Sequence, residues 1–263
     1  MTISAWLIGS YRGLPGQTLT IEGSPQVIDA GSHYLYDATA GLSLLTKVGA
    51  ALVAEVVGGS AVLLRNRKVR LSGSNPFDLT WPVDGVLRTL LGFTGNLAGQ
   101  ATYTAPNISP LLWSPGRTET PTMAPLGSHG HTRMPVFTAV SPYDGSMSVV
   151  THGSGRVFNE FRFPYVANAR YQTAGELGGE FCVWFANVCA LGRNFKLHRL
   201  LDESDASTDP ITGLGTAVLG PYVYSPVRDG LDWTFTRSAG ANFAWTDRRH
   251  DVTMPVHVVP EYA

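Results

Sequence analysis

The histidines are one group of side chains that could bind a metal ion. Ser128-His129-Gly130-His131 places two imidazoles at the spacing with which a strand clamps one ion, and His152 is a candidate third ligand. No motif supplies the remaining ligands of a tetrahedral site. We therefore expect His129 and His131 to be ordinary loop histidines, and a metal site there stays an open alternative.

A second group of candidate ligands is the acidic loop 202–209, which contains Asp202, Glu203, Asp205 and Asp209. Ca²⁺ takes several oxygen ligands from a flexible loop. The spacing of these carboxylates does not match the EF-hand pattern, and the central glycine of that pattern is missing. We expect a solvated turn between two strands, with a calcium site as the open alternative.

Motifs for nucleophilic or phosphate chemistry are absent from the sequence. Gly153-Ser154-Gly155 falls at a predicted hairpin turn and lacks the Gly-x-Ser-x-Gly pattern that presents a nucleophile after a buried strand. No glycine-rich loop carries the lysine that would cradle a phosphate. We expect no catalytic residues, no cofactor and no enzyme activity. Paired glycosidase carboxylates leave little local signature, so a hydrolase remains an alternative.

The tryptophans offer a further possible site, because exposed aromatic rings can stack on sugars. Most of them fall within strand or helix patterns, so we expect core packing first, with a carbohydrate-binding receptor-recognition protein as the alternative. The tryptophans concerned are Trp81, Trp113, Trp184, Trp233 and Trp245.

The charge balance argues against a nucleic-acid binder. The 263 residues include 19 Lys and Arg against 20 Asp and Glu, a net charge of −1, whereas phosphate binding calls for a basic excess. The one local basic cluster comprises Arg65, Arg67, Lys68 and Arg70, and we interpret it as a charged hairpin tip. The sequence has no apolar run long enough to span a membrane and no signal peptide, so we expect synthesis in the cytoplasm.

Periodicity in the sequence predicts an α+β fold dominated by antiparallel β structure. Apolar residues at helical spacing predict one helix over 42–57 and a second over 174–191, and Thr173 and Glu176 form a capping box for the second. Short alternating runs predict strands around both. We therefore expect two β-rich units, 1–94 and 146–263, each of which packs one amphipathic helix.

A long proline-rich arm or connecting loop is predicted over 95–145, between the two units. Its prolines lie at positions 106, 110, 115, 121, 125, 135 and 142, and long loops without periodicity are often functional. Its apolar residues have no local pattern that would bury them, so we expect them to contact a neighbouring subunit. A loop that folds back on its own core is the open alternative. The candidate interface residues are Leu111, Leu112, Trp113 and Phe137.

The two cysteines, Cys182 and Cys189, lie seven positions apart in the second predicted helix. This spacing separates their Cα atoms by roughly 10 Å along the helix, and a disulfide needs about 7 Å or less. We expect two reduced, buried thiols.

Two segments of the first half resemble virion proteins of tailed bacteriophages. One segment is Phe77-Asp78-Leu79-Thr80-Trp81 with the following Leu87-Arg88-Thr89-Leu90-Leu91-Gly92-Phe93-Thr94-Gly95. Tyr103-Thr104-Ala105-Pro106 and Pro110-Leu111-Leu112-Trp113-Ser114-Pro115-Gly116 continue the likeness.

The second half is similar in plan to phage tail proteins of the distal-tail or baseplate kind. A predicted helix over 179–191 precedes the strand Phe195-Lys196-Leu197, and an acidic turn and a closing strand follow. The resemblance implies a structural subunit that forms rings or tubes in many copies. It also implies a location in the virion tail, with copies of itself and other tail proteins as partners. Only 15% of the residues are charged, against about 25% in an average domain, which agrees with a surface covered by neighbouring subunits.

Overall fold

The computed structural model describes residues 3–114, 180–201 and 209–211, together with the strands at 117–118, 131–133, 136–140, 147–151, 156–167, 223–226 and 249–259; side chains are described for 6–114, 180–198 and 209–211. The fold is α+β with mainly antiparallel strands and few helices, which confirms the predicted class. The strands, in chain order, are β1 (Ile3–Leu14), β2 (Gln17–Ile21), β3 (Ser24–Ile28), β4 (Gly31–Tyr34), β5 (Ser60–Leu63), β6 (Val69–Thr80), β7 (Leu97–Thr104), β8 (Leu112–Trp113), β9 (Arg117–Thr118), β10 (His131–Arg133), β11 (Val136–Val140), β12 (Met147–Thr151), β13 (Arg156–Ala167), β14 (Phe195–Leu201), β15 (Val223–Pro226) and β16 (Arg249–Val259).

Three helices accompany these strands in the described residues: α1 (Leu44–Glu55), α2 (Val86–Leu90) and α3 (Glu180–Trp184), which continues as a π-helical turn over Phe185–Cys189. A short 3₁₀ turn, Ala40–Leu42, precedes α1. The helix predicted over 42–57 is therefore confirmed, with Ser43 as its N-cap accepting a bond from the Thr46 amide at 3.2 Å. Of the helix predicted over 174–191, residues 180–189 are helical, and its start lies outside the described residues.

The strands form two large sheets and one small one. The larger has nine strands in the order β10-β13-β16-β15-β14-β1-β4, and β8 and β9 also pair with β1. The second has five strands in the order β3-β2-β6-β5, with β7 paired to β6. Strands β11 and β12 form a separate hairpin. The hairpin predicted around residues 65–68 is confirmed as β5 and β6.

Strand β1 pairs with strands from both halves of the chain. The division into two separate β-rich units did not predict this pairing. Its first half pairs with β14 from Ile3↔Leu201 to Gly9↔Phe195, and its second half pairs with β4. Residues 3–14 therefore belong to the same sheet as the C-terminal strands. This partnership spans nearly the whole chain, so no local pattern could indicate it.

The first part of the region assigned to the proline-rich arm is a strand. Residues 97–104 form β7, which pairs with β6 from Arg70↔Thr104 to Leu79↔Leu97. Two register shifts interrupt this pairing. Seven of the eight residues of β7 are exposed or half-buried, so buried and exposed positions do not alternate along the strand. An irregular edge strand of this kind loses the period-2 signal by which strands are recognised.

Aromatic side chains dominate the core where the nine-stranded sheet meets α3. Trp113 contacts Phe181 edge to face with ring centroids 4.8 Å apart, and Trp184 contacts Phe195 in the same way at 5.3 Å. All four side chains are fully buried. The expectation of core packing is confirmed for Trp81, Trp113 and Trp184, whereas Trp233 and Trp245 lie outside the described residues.

Candidate functional site

The structure buries three of the predicted interface residues in the chain's own core. Leu111, Leu112 and Trp113 are 0%, 2% and 0% exposed. Strand β8 pairs with β1 through Leu7↔Trp113 and Ile8↔Leu112, so the segment folds back on its own sheet. The expectation that a neighbouring subunit covers these three side chains is wrong. Phe137 lies in β11, and its side chain lies outside the described residues.

The candidate metal ligands of the sequence fall mostly beyond the described part. His129, His152 and Asp202, Glu203 and Asp205 lie outside it, and His131 is described only as part of β10. Asp209 is described, and its carbonyl accepts a bond from the Arg65 amide at 3.2 Å. Within the described residues, no three His, Cys, Asp or Glu side chains converge as a metal site would require.

The predicted charged hairpin tip is held against the C-terminal half of the chain. The Arg67 guanidinium pairs with the Glu180 carboxylate, and the Arg67 side chain is only 10% exposed. Leu64 forms an isolated bridge with Pro210, and the Ile211 amide donates to the Leu63 carbonyl at 2.8 Å. The tip is therefore a docked turn, not a freely solvated one.

A cleft of about 430 Å³ opens beside this turn, and we call it the Lys68 cleft. It lies between the hairpin turn, the segment that leads into β8, and α3. Its volume falls within the range of about 300–1,000 Å³ typical of ligand sites. The lining residues are Lys68, Pro106, Asn107, Ile108, Ser109, Leu112, Glu180 and Val183.

A second cleft, of about 230 Å³, lies between the turn after α2 and strand β7, and we call it the Asn96 cleft. Its lining carries no charged side chain. The amides of Asn96 and Gln100 and the hydroxyls of Thr94 and Thr104 provide neutral hydrogen-bonding groups. The remaining lining residues are Phe93, Gly95, Leu97, Tyr103 and Pro106.

A buried ion pair crosses the nine-stranded sheet near β4. Lys196 Nζ lies 2.8 Å from Asp37 Oδ2, and the two side chains are 14% and 3% exposed. The same ammonium lies 5.0 Å from the centroid of the Tyr34 ring. Because Lys196 is on β14 and Tyr34 is on β4, these contacts link the two strands that flank β1.

Both cysteines are free thiols, as expected, although only one is fully buried. Cys189 is 0% exposed, and burial raises the pKa of its thiol well above the ordinary value. Cys182 is half-buried. A buried thiol with a raised pKa is a poor nucleophile, so Cys189 is a packing residue.

The outer face of α1 carries no charge. Its exposed residues are Thr46, Ala50, Val53 and Ala54, and the exposed Val57 follows directly; we call these five the α1 outer face. Val53 and Val57 are 64% and 73% exposed.

The two charged residues of α1 point away from that face, toward the chain itself. Lys47 Nζ lies 3.1 Å from Asp29 Oδ2, and Gln26 Nε2 donates to Glu55 Oε1 at 2.6 Å. The uncharged outer face can be predicted from the sequence, because residues 42–57 include only these two charged residues. The Lys68 cleft cannot be predicted from the sequence in this way, because its lining residues come from three segments that are distant in the chain.

Comparison of the chain with protein-family models, with curated proteins and with solved structures gives no match. Of the helices that the structure describes, none has the length and hydropathy needed to cross a bilayer.

Proposed function

We propose that this chain is a structural subunit of a tailed-phage virion, in the tail or baseplate, that assembles through symmetric protein–protein interfaces. The observation that carries the assembly role is the α1 outer face. A helix on the surface of a monomer carries charged or polar residues on its outward side, whereas a helix that is apolar all round is buried. A neighbouring subunit would bury this face in the assembled particle.

Composition supports the same role. Charged residues make up 15% of the chain, and the cores of interfaces are depleted in charge. A repeated subunit contributes one such surface per copy, and most homo-oligomers are closed, symmetric assemblies.

The place in a virion rests on the resemblance of the segments 77–95, 103–106 and 110–116 to tailed-phage proteins, together with the plan of the second half. A tail or baseplate position requires neither a cofactor nor a catalytic residue. The partners of this role are copies of the chain and other tail proteins.

The assembly role is tested with Val53→Glu, which puts a carboxylate in the centre of the α1 outer face. We expect the wild-type protein to form symmetric oligomers in native mass spectrometry and negative-stain microscopy, and the variant to be monomeric with an unchanged circular dichroism spectrum. Val83→Glu is the matched control, because Val83 is fully exposed and lies between β6 and α2, so it is not part of the α1 outer face. A monomeric wild-type protein, or a variant that still assembles, would contradict the proposal.

A second candidate function, carbohydrate recognition, is favoured by the Asn96 cleft. Its side-chain amides and hydroxyls are uncharged hydrogen-bonding groups, which suit the hydroxyls of a neutral sugar. A glycan array distinguishes this role: a specific signal that Gln100→Ala abolishes would favour receptor recognition over a purely structural role.

A further inference from the structure

The Lys68 cleft combines one available cation with an apolar wall. Lys68 Nζ donates to the Pro106 carbonyl at 2.7 Å. In the part of the chain that the structure describes, no carboxylate pairs with this ammonium. An ammonium has three donors, so two remain for an incoming group.

The other ionised group of the lining, Glu180, is already neutralised. Its carboxylate is paired with Arg67, whose side chain is only 10% exposed. The Lys68 ammonium therefore sets the sign of the charge that the cleft attracts, and it attracts an anion.

One part of the cleft lining is apolar. Ile108, Leu112 and Val183 line it, and Val183 is 41% exposed. Removing these surfaces from water favours an apolar side chain in the cleft. Asn107 also lines the cleft and is exposed, and its amide can both donate to and accept from a peptide group.

We infer that the Lys68 cleft is a docking site for a partner peptide segment in which an acidic residue adjoins an aliphatic one. The carboxylate binds Lys68, the aliphatic side chain packs on Ile108, Leu112 and Val183, and the Asn107 amide binds the peptide backbone. The inference rests on the proposed assembly role and adds to it the chemistry of one partner.

The probe is an acetylated and amidated peptide, Gly-Leu-Glu-Leu-Gly, titrated against the full chain by isothermal calorimetry or fluorescence anisotropy. We expect binding that weakens as salt is raised. Replacing Glu by Gln in the probe, or Lys68→Met in the protein, should each weaken binding by about tenfold, since a hydrogen bond to a charged group is lost. Replacing both Leu by Ser in the probe should weaken it as well.

Lys47→Met is the matched control, because it removes the same charge from α1 and leaves the cleft intact. We expect it to bind the probe as the wild-type protein does. Lys68→Glu should reverse the preference, so that Gly-Leu-Lys-Leu-Gly binds better than the acidic probe. Val183→Asp, at a partly exposed position that tolerates substitution, should also reduce binding of the acidic probe.

Three results would overturn the inference: no binding of the acidic probe to the wild-type protein, equal weakening by Lys47→Met and Lys68→Met, or binding of decanoate without binding of the peptide. The last result would identify the cleft as a site for an amphipathic carboxylate instead. These titrations do not require assembly. Val53→Glu therefore tests assembly, and Lys68→Met separately tests peptide binding. A protein that binds the probe but never assembles contradicts only the proposed function.

Discussion

The Arg67 guanidinium and the Glu180 carboxylate form an ion pair between residues 113 positions apart in the chain. The backbone φ of Arg67 is +69°, a value that residues other than glycine seldom adopt. The pair joins the β5–β6 turn to the start of α3, and Glu180 also lines the Lys68 cleft.

Breaking this pair on one side should destabilise the protein more than removing both charges. Arg67→Met removes the guanidinium that pairs with the mostly buried Glu180 carboxylate, and we expect a loss of about 2–4 kcal/mol in the free energy of unfolding. The double variant Arg67→Met/Glu180→Leu should recover at least about 1 kcal/mol of that loss. Urea unfolding of the four proteins of this cycle measures the coupling; additive losses would contradict it.

Close packing at Gly9 gives a second prediction. A Cβ at this position of β1 would overlap the side chain of Val188, because the π-helical turn lies directly on the strand. Gly9→Ala should therefore destabilise the protein by about 1–3 kcal/mol through overpacking. Val188→Ala vacates the space, so the double variant should be more stable than the sum of the two single losses predicts. Thermal unfolding of the two single variants and the double variant measures whether their losses of stability are additive.

Local features were predictable from the sequence, and long-range partnerships were not. Helix α1 was predicted because its buried residues recur at helical spacing. Strand β7 was missed because its pairing is irregular, and the pairing of β8 with β1 was missed because β1 lies about a hundred residues earlier in the chain. Two residues, Leu111 and Leu112, have no periodic neighbours, yet strand pairing and the packing of α3 bury them.

Of the two candidate surfaces, the local one was predictable from the sequence and the one built from distant segments was not. The uncharged outer side of α1 can be read directly from 42–57, because a helical wheel places Thr46, Ala50, Val53 and Ala54 on one side. The Lys68 cleft could not be predicted, since Lys68, Ile108 and Val183 come together only when the turn, the loop and α3 pack.

Trp184 should be among the largest single contributors of α3 to stability. Its side chain is fully buried between Trp113 and Phe195, so Trp184→Ala removes a large apolar surface and leaves a cavity. We expect a loss of about 3–5 kcal/mol in the free energy of unfolding. Val183→Ala, at the neighbouring and partly exposed position, is the control and should cost under about 1 kcal/mol. Similar losses for both variants would contradict the packing.

The Cys189 thiol should make stability fall at alkaline pH. Burial raises its pKa in the folded protein, so above about pH 8.5 the thiol ionises in the unfolded chain while the folded protein keeps the proton. The unfolded state then binds fewer protons, and the free energy of unfolding falls as pH rises. The loss reaches about 1.4 kcal/mol one pH unit above the unfolded pKa.

Comparison of the wild-type protein with Cys189→Ala isolates this contribution from the other groups that titrate at high pH. The variant is less stable at neutral pH because it leaves a small cavity, but it lacks the thiol, so its stability should fall less steeply between about pH 7.5 and 9.5. Cys182→Ala removes the half-buried thiol and is the control. Urea unfolding at several pH values measures the three slopes. If Cys189→Ala falls as steeply as the wild-type protein, the thiol is not held protonated by burial.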